Sequence, residues 1–238
     1  MEKLTLRRCR PSGPCLILGP SPIPDLTVGA TACRPSGPEA LLHIAFVLSS
    51  ILLLGCTQTK QADPSAPAAL PPLIDLNGKP LTPFEKPGTK AVALIFVLPD
   101  CPIANAYLPA INRLHAEFAS QGVALIVVQA DPATTAERAR AHAKEYGIAA
   151  PVILDAEHAW VRRARATRTP EAVVFSPAGE ILYRGRIDDQ YVGLGQKRPQ
   201  ATTYDLQDAL AVIVRGQNVP QRETPAVGCY IPPLPKGK

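Results

Sequence analysis

Residues 91–120 read AVALIFVLPDCPIANAYLPAINRLHAEFAS, and the change of pattern in the middle of this stretch decides the fold. Ala91–Leu98 is an unbroken apolar run, short and rich in strand formers, as expected of a central strand buried on both faces. After Pro99-Asp100-Cys101 the apolar positions fall at Leu108, Ile111, Leu114 and Phe118, a helical spacing, and Gln121-Gly122 closes the helix. Pro102 suits the first helical position, where its missing N–H costs nothing. Cys101 is therefore expected to cap that helix, with its sulfur facing unpaired backbone N–H groups and the positive end of the dipole, both of which favour thiolate. Asp100 opposes this by placing a negative charge next door. An inert buried cysteine at a strand end is the plainer alternative.

Working outward, the same alternation continues. Leu73–Leu76 and Lys79–Leu81 flank an Asn77-Gly78 turn and predict a small hairpin. Val123–Gln129 predicts a second buried strand and Thr134–Tyr146 a helix stopped by Gly147, with a short apolar run at Val152–Leu154 and a helix over 157–166. The connections then change character. Ala172–Phe175 and Glu180–Tyr183 are strands joined by Ser176-Pro177-Ala178-Gly179, a hairpin where earlier strands were joined by helices. A last amphipathic helix covers Tyr204–Arg215. The order predicts an α/β domain with a mixed central sheet, parallel in its first half and antiparallel in its second.

That order, with a cysteine at the end of the first long strand, resembles the thioredoxin-like superfamily, especially the redoxins of the alkyl hydroperoxide reductase and thiol-specific antioxidant group. The residues that carry the resemblance are Phe96-Val97-Leu98-Pro99-Asp100-Cys101-Pro102 and Thr169-Pro170-Glu171, within roughly residues 72–216. It implies a three-layer α/β/α fold and thiol chemistry at Cys101. It also implies a cis Pro170 facing that cysteine, flanked by Thr169 and Glu171 and presenting backbone to an extended substrate. A proline opening an edge strand is the plain alternative. The chain departs from the parent patterns in three places. Ala104 stands where thioredoxins carry a second cysteine, Leu98 where peroxiredoxins carry a threonine, and Ile95 where thioredoxins carry a buried acid. A local dithiol is thereby excluded.

Cys229, in a proline-rich tail over residues 217–238, is the remaining candidate partner. A tail folded back across the domain, with Val227 and Ile231 as apolar anchors, would let Cys229 resolve an oxidised Cys101. A structural disulfide or a free tail thiol are the alternatives. Topology brings the residues after Tyr183 to the level of Cys101, so Arg184 and Arg186 are candidates to stabilise a thiolate and Asp188 and Asp189 to move protons; an exposed polar loop is the plain reading. The arginines Arg162, Arg163, Arg165 and Arg168 suit either a solvated helix face or an anionic partner. The histidines beyond residue 56, namely His115, His142 and His158, are not paired at metal-ligand spacing. No metal or cofactor is expected, and neither a phosphate loop nor a nucleophile elbow is present.

The amino-terminal quarter reads differently. Leu41–Leu54 is fourteen largely apolar residues, the length of a signal-peptide core and short for a membrane span. It runs into Leu53-Leu54-Gly55-Cys56, which resembles the bacterial lipobox and implies acylation of Cys56. Residues 1–56 are thus expected to be leader and signal, with Cys-Arg-Pro-Ser-Gly-Pro repeated at 9–14 and 33–38, and residues 57–71 a polar, proline-rich tether. Export would place the domain outside the cytoplasmic membrane, in the periplasm of a Gram-negative cell. There the cysteines would meet an oxidising compartment. The whole chain has a net charge of +5 and only 5% aromatic residues, which gives no support to nucleic-acid binding. The function expected is an exported, lipid-anchored oxidoreductase acting on thiols, disulfides or peroxides with an external thiol or dithiol as reductant. The alternative is a redoxin-fold module that binds a client protein near Pro170 without turnover.

Overall fold

The structure, a computed structural model, describes residues 70–235. The leader, Cys56 and all but the end of the tether lie outside the described residues. In chain order the elements are β1 (Leu73–Ile74), β2 (Pro80–Leu81), β3 (Ala91–Val97), α1 (Pro102–Ala119), β4 (Val123–Gln129), α2 (Ala136–Glu145), β5 (Val152–Leu154) and α3 (Ala159–Ala164). They are followed by β6 (Arg168–Thr169), β7 (Glu171–Phe175), β8 (Ile181–Gly185), β9 (Tyr191–Gly193), β10 (Gln196–Lys197), α4 (Asp205–Val214) and β11 (Cys229–Tyr230).

The main sheet has the order β5-β4-β3-β7-β8. β3 runs parallel to β4 and β4 to β5, whereas β7 is antiparallel to both β3 and β8. Every residue of β3 has zero exposure, which is why its sequence reads as a continuous apolar run. The register assigns the faces. Phe175 pairs with Val92 and Val92 with Ala124, so Phe175 and Gln129 point to opposite sides of the sheet. On the Gln129 side lie α1, α2 and α4, linked by Asn105 to His142, Asn112 to Gly147 and Gln207 to Glu117. On the Phe175 side, Trp160 of α3 stacks on Phe84 at 5.8 Å, and both meet the Phe175 ring edge-on. This is the three-layer, thioredoxin-like arrangement that the sequence implied.

Trp160 and Phe175 are both buried in that second layer, and Phe175 has no exposed surface. Phe175→Ala should cost about 3–5 kcal/mol through lost burial and the cavity left behind. A urea midpoint lowered by less than 1 kcal/mol equivalent would show that this layer does not close the core.

Two local differences from the sequence expectation have clear causes. The helix expected over 157–166 is confined to Ala159–Ala164, because the Asp155 carboxylate accepts from Trp160 N at 3.1 Å and Val161 N at 2.7 Å and starts it late. Left-handed residues, His158 and Arg165, bound it on both sides. The two-residue strands β6 and β11 and the β9–β10 hairpin were not expected, since elements this short carry no readable periodicity. Among the described residues no helix is long and apolar enough to cross a membrane.

Candidate active site

The chain turns sharply out of β3, with Cys101 N–H donating to Leu98 O at 3.1 Å, and enters α1 through Pro102 at its first position. Cys101 is the cap, extended at φ −88° and ψ 107°, and its Sγ accepts from Ala104 N–H at 3.4 Å. The thiol also lies 3.2 Å from Thr169 O, to which it donates when protonated. The Thr169–Pro170 bond is cis. The Thr169 hydroxyl is fully buried with no hydrogen-bond partner of its own, which leaves it free to turn its proton toward the sulfur. Glu171 holds the approach to this loop, its carboxylate accepting from Thr167 N at 2.8 Å and Arg168 N at 3.1 Å.

The tail arrives at the same place. It first runs beside β8, where Arg184 N donates to Arg222 O and Thr224 N to Arg184 O. Gly185 permits this close approach: its φ is +150°, and a Cβ there would lie 2.2 Å from Thr224 Oγ1. The tail then crosses to β6, where β11 pairs Cys229 opposite Thr169 and Tyr230 opposite Arg168, antiparallel. Arg168 clamps it, donating to Gly228 O at 3.3 Å and to the Tyr230 hydroxyl at 2.7 Å, with the guanidinium 4.0 Å from the ring centroid. Ile231 packs on the core, whereas Val227 is only half-buried and is not part of it.

Cys101 and Cys229 are free thiols that meet at Thr169: Cys101 Sγ lies 3.2 Å from Thr169 O, and β11 sets Cys229 opposite Thr169. Burial alone would raise Cys101, but the Cys229 thiol, the Ala104 N–H and the Thr169 side chain together outweigh it and hold Cys101 below the ordinary thiol value. Cys229 moves the other way. Burial, with its hydrogen bond to Cys101 and the charge there, pushes it up to about 11. The cysteine beneath the tail is thus the more acidic of the two, and the half-exposed one above it holds its proton more tightly. Asp100 beside Cys101 is mostly exposed and paired with Arg138 at 2.5 Å, so its charge is offset and directed to solvent.

The other sequence candidates have different partners. Arg184 binds Arg165 O and Glu223, and Arg186 pairs with Asp205 at 2.8 Å. Asp188 accepts from the Tyr107 hydroxyl, and Asp189 from Thr202, Thr203 and Arg198. Those donors hold the Asp189 carboxyl well below the usual range. None of the four hydrogen-bonds to Cys101: Asp188 and Arg186 fasten the loop that follows β8 to α1 and α4, Asp189 braces that loop internally, and Arg184 ties β8 to the tail and to the end of α3. The arginine run likewise disperses, with Arg162 on Glu157 O, Arg163 on Gly179 O and Arg168 on the tail. Among the described residues no three metal-ligating side chains gather. His142, named above only as a histidine without a partner at metal-ligand spacing, joins Asn105 and Gln129, which the sequence did not single out, in a largely buried chain behind Pro99. The one signal for them was an asparagine four residues after the capping cysteine.

Residues 65–184 match the AhpC/TSA family. No curated protein matches this chain. Among solved structures, a hypothetical protein from Sinorhizobium meliloti superposes with a TM-score of 0.60 at 26% identity, over 69% of this chain and 91% of its own. An uncharacterized conserved protein from Geobacillus kaustophilus gives a TM-score of 0.61 at 23% identity, over 70% and 91%.

Proposed function

This chain belongs to the AhpC/TSA family, and from that premise we propose that it is an exported thiol-dependent oxidoreductase in which Cys101 attacks the substrate and Cys229 resolves the product. The observation that carries this reading is that two free thiols converge on Thr169, Cys101 from the cap of α1 and Cys229 from the strand paired with β6, with Cys101 the more acidic of the two. With a peroxide, the Cys101 thiolate takes the distal oxygen to become a sulfenic acid, and the alcohol or water leaves with a proton. Cys229 then attacks that sulfur, a disulfide forms and water departs. With a disulfide substrate, Cys101 forms the mixed disulfide and expels a thiolate, and Cys229 expels the second. In both cases an external thiol or dithiol returns two electrons.

The seating of the tail also bears on the rival reading. A client held along the cis-proline strand would need the edge that β11 already pairs with. Turnover within one chain fits that arrangement better than static binding of a partner. Export through a lipidated Cys56 is part of the same proposal, and mass spectrometry of the mature N-terminus tests it: an acylated Cys56 supports it, and an intact Met1 on a soluble protein rejects it. For the chemistry, dimedone trapping after one equivalent of hydrogen peroxide or cystine should label Cys101 or capture it as a mixed disulfide in Cys229→Ser. No adduct of either kind at Cys101 would reject the enzyme.

A further inference from the structure

Pro99, Asp100 and Cys101 connect the sheet to α1, and the position of the Cys101 sulfur depends on how that connection is held. The Pro99 carbonyl receives a side-chain donor, Asn105 Nδ2 at 2.8 Å. Asn105 also donates its backbone N–H to Cys101 O at 3.0 Å, so one residue grips the loop on both sides of Asp100. The outer Asp100–Arg138 ion pair is exposed at both ends and contributes little.

What orients the Asn105 amide lies deeper. Its Oδ1 accepts from His142 Nε2 at 2.8 Å, and His142 Nδ1 faces Gln129 Nε2 at 3.0 Å. Gln129 has no exposed surface and His142 is almost fully buried. Because the carbonyl of Pro99 can only accept, Asn105 must present its amide N–H there and its oxygen to the histidine. His142 must then carry its proton on Nε2 and accept on Nδ1 from Gln129. Every donor in the chain points one way, from β4 through α2 and α1 to the loop.

We infer that Asn105, His142 and Gln129 are a positioning chain for the Cys101 reaction, fixing the Pro99 carbonyl and so holding the sulfur at the helix cap. The inference rests on the role given to Cys101 above. Polar groups buried between apolar layers cost stability unless each finds a partner, and here the partners follow one another in sequence toward Pro99. The polar chain's only exit is the loop that carries the nucleophile. One contact that favours the thiolate, the Ala104 N–H at 3.4 Å, is long enough that a small shift of the loop would lose it.

The chain also requires a neutral imidazole. Burial holds His142 below its ordinary value, with Glu145 and Asp100 acting upward and Arg138 downward, and the Tyr146 ring lies 4.9 Å away. Protonated Nδ1 would face an N–H of Gln129, and relief would require the Gln129 amide to turn and bring up its Oε1, which has no partner.

The test is the rate of iodoacetamide alkylation of Cys101 against pH in the full-length protein, read on the tryptic peptide Ala91–Arg113, whose only cysteine is Cys101. In the parent the midpoint should lie below that of an ordinary thiol. Asn105→Leu and His142→Leu should raise it by about one pH unit, which makes alkylation about tenfold slower at pH values well below the parent midpoint. His142→Gln, whose amide N–H can take the place of Nε2–H, should stay within about twofold of the parent. A depressed parent midpoint left unchanged by both leucine variants overturns the inference, as does His142→Gln behaving like His142→Leu. An ordinary midpoint in the parent would instead remove the role of Cys101, and the inference with it. If Asn105→Leu does not fold, as judged by circular dichroism, the two His142 variants decide the matter.

Discussion

Gly228→Val should separate the two thiols without unfolding the domain. A Cβ at position 228 would lie 1.9 Å from Thr169 O, 2.7 Å from the carbonyl carbon and 3.2 Å from Pro170 Cδ. The obstacle is backbone on the opposite strand, so no rotamer change relieves it. The β11–β6 pairing must break, and with it the Arg168 contacts to Gly228 O and Tyr230. The core does not depend on that pairing, because the five-stranded sheet and its layers are complete without the last residues of the tail. The first anchor at Thr224, held by Tyr183 and Arg186, should persist. The expected result is at least a tenfold fall in Cys101–Cys229 disulfide yield after stoichiometric oxidant, with the urea midpoint shifted by about 1 kcal/mol equivalent or less. Bridging at the parental yield would mean that the strand pairing plays no part in resolution.

The two cysteine variants should fail differently. Cys101→Ser removes the nucleophile, and turnover of peroxide or disulfide should fall by on the order of 10³-fold or more, because the serine hydroxyl ionises far less readily than a thiol. Cys229→Ser should still consume one equivalent of oxidant at Cys101 and then stop until an external thiol is added. The difference follows from the geometry: Cys101 carries every contact that favours the charged sulfur, whereas Cys229 is pushed up to about 11 and acts second. A Cys229→Ser protein that loses its first equivalent as completely as Cys101→Ser would reverse the assignment of roles.

What the sequence disclosed and what it concealed divide along physical lines. The sheet was legible because β3 and β4 are buried on both faces and therefore consist of almost nothing but apolar, strand-forming residues. The change from helical crossovers to a hairpin after residue 171 gave the direction of the strands. The helix cap was legible from Cys101-Pro102 alone, since proline at the first position leaves its neighbour as the cap. The tail was another matter. Its path depends on two close backbone approaches, at Gly185 and Gly228, and on a two-residue strand that no periodicity announces.

The candidates Arg184, Arg186, Asp188 and Asp189 illustrate the opposite hazard. Topology suggested their level in the molecule but not which partner each would take, and ion pairs and capped turns absorbed all four. The Gln129–His142–Asn105 chain was invisible for a related reason. Its members sit on three elements, and nothing in a linear sequence says that these meet behind Pro99.

Peptide mapping of the protein oxidised with one equivalent of hydrogen peroxide, digested under non-reducing conditions, is the most direct test of the pairing of Cys101 with Cys229. Trypsin isolates Cys101 in Ala91–Arg113 and Cys229 in Glu223–Lys236, each as the only cysteine of its peptide. The two peptides should appear as one disulfide-linked species that reduction splits and that Cys229→Ser abolishes. Their recovery as separate peptides, with Cys101 oxidised and Cys229 still a free thiol, would contradict the resolving role and leave Cys101 a one-cysteine site.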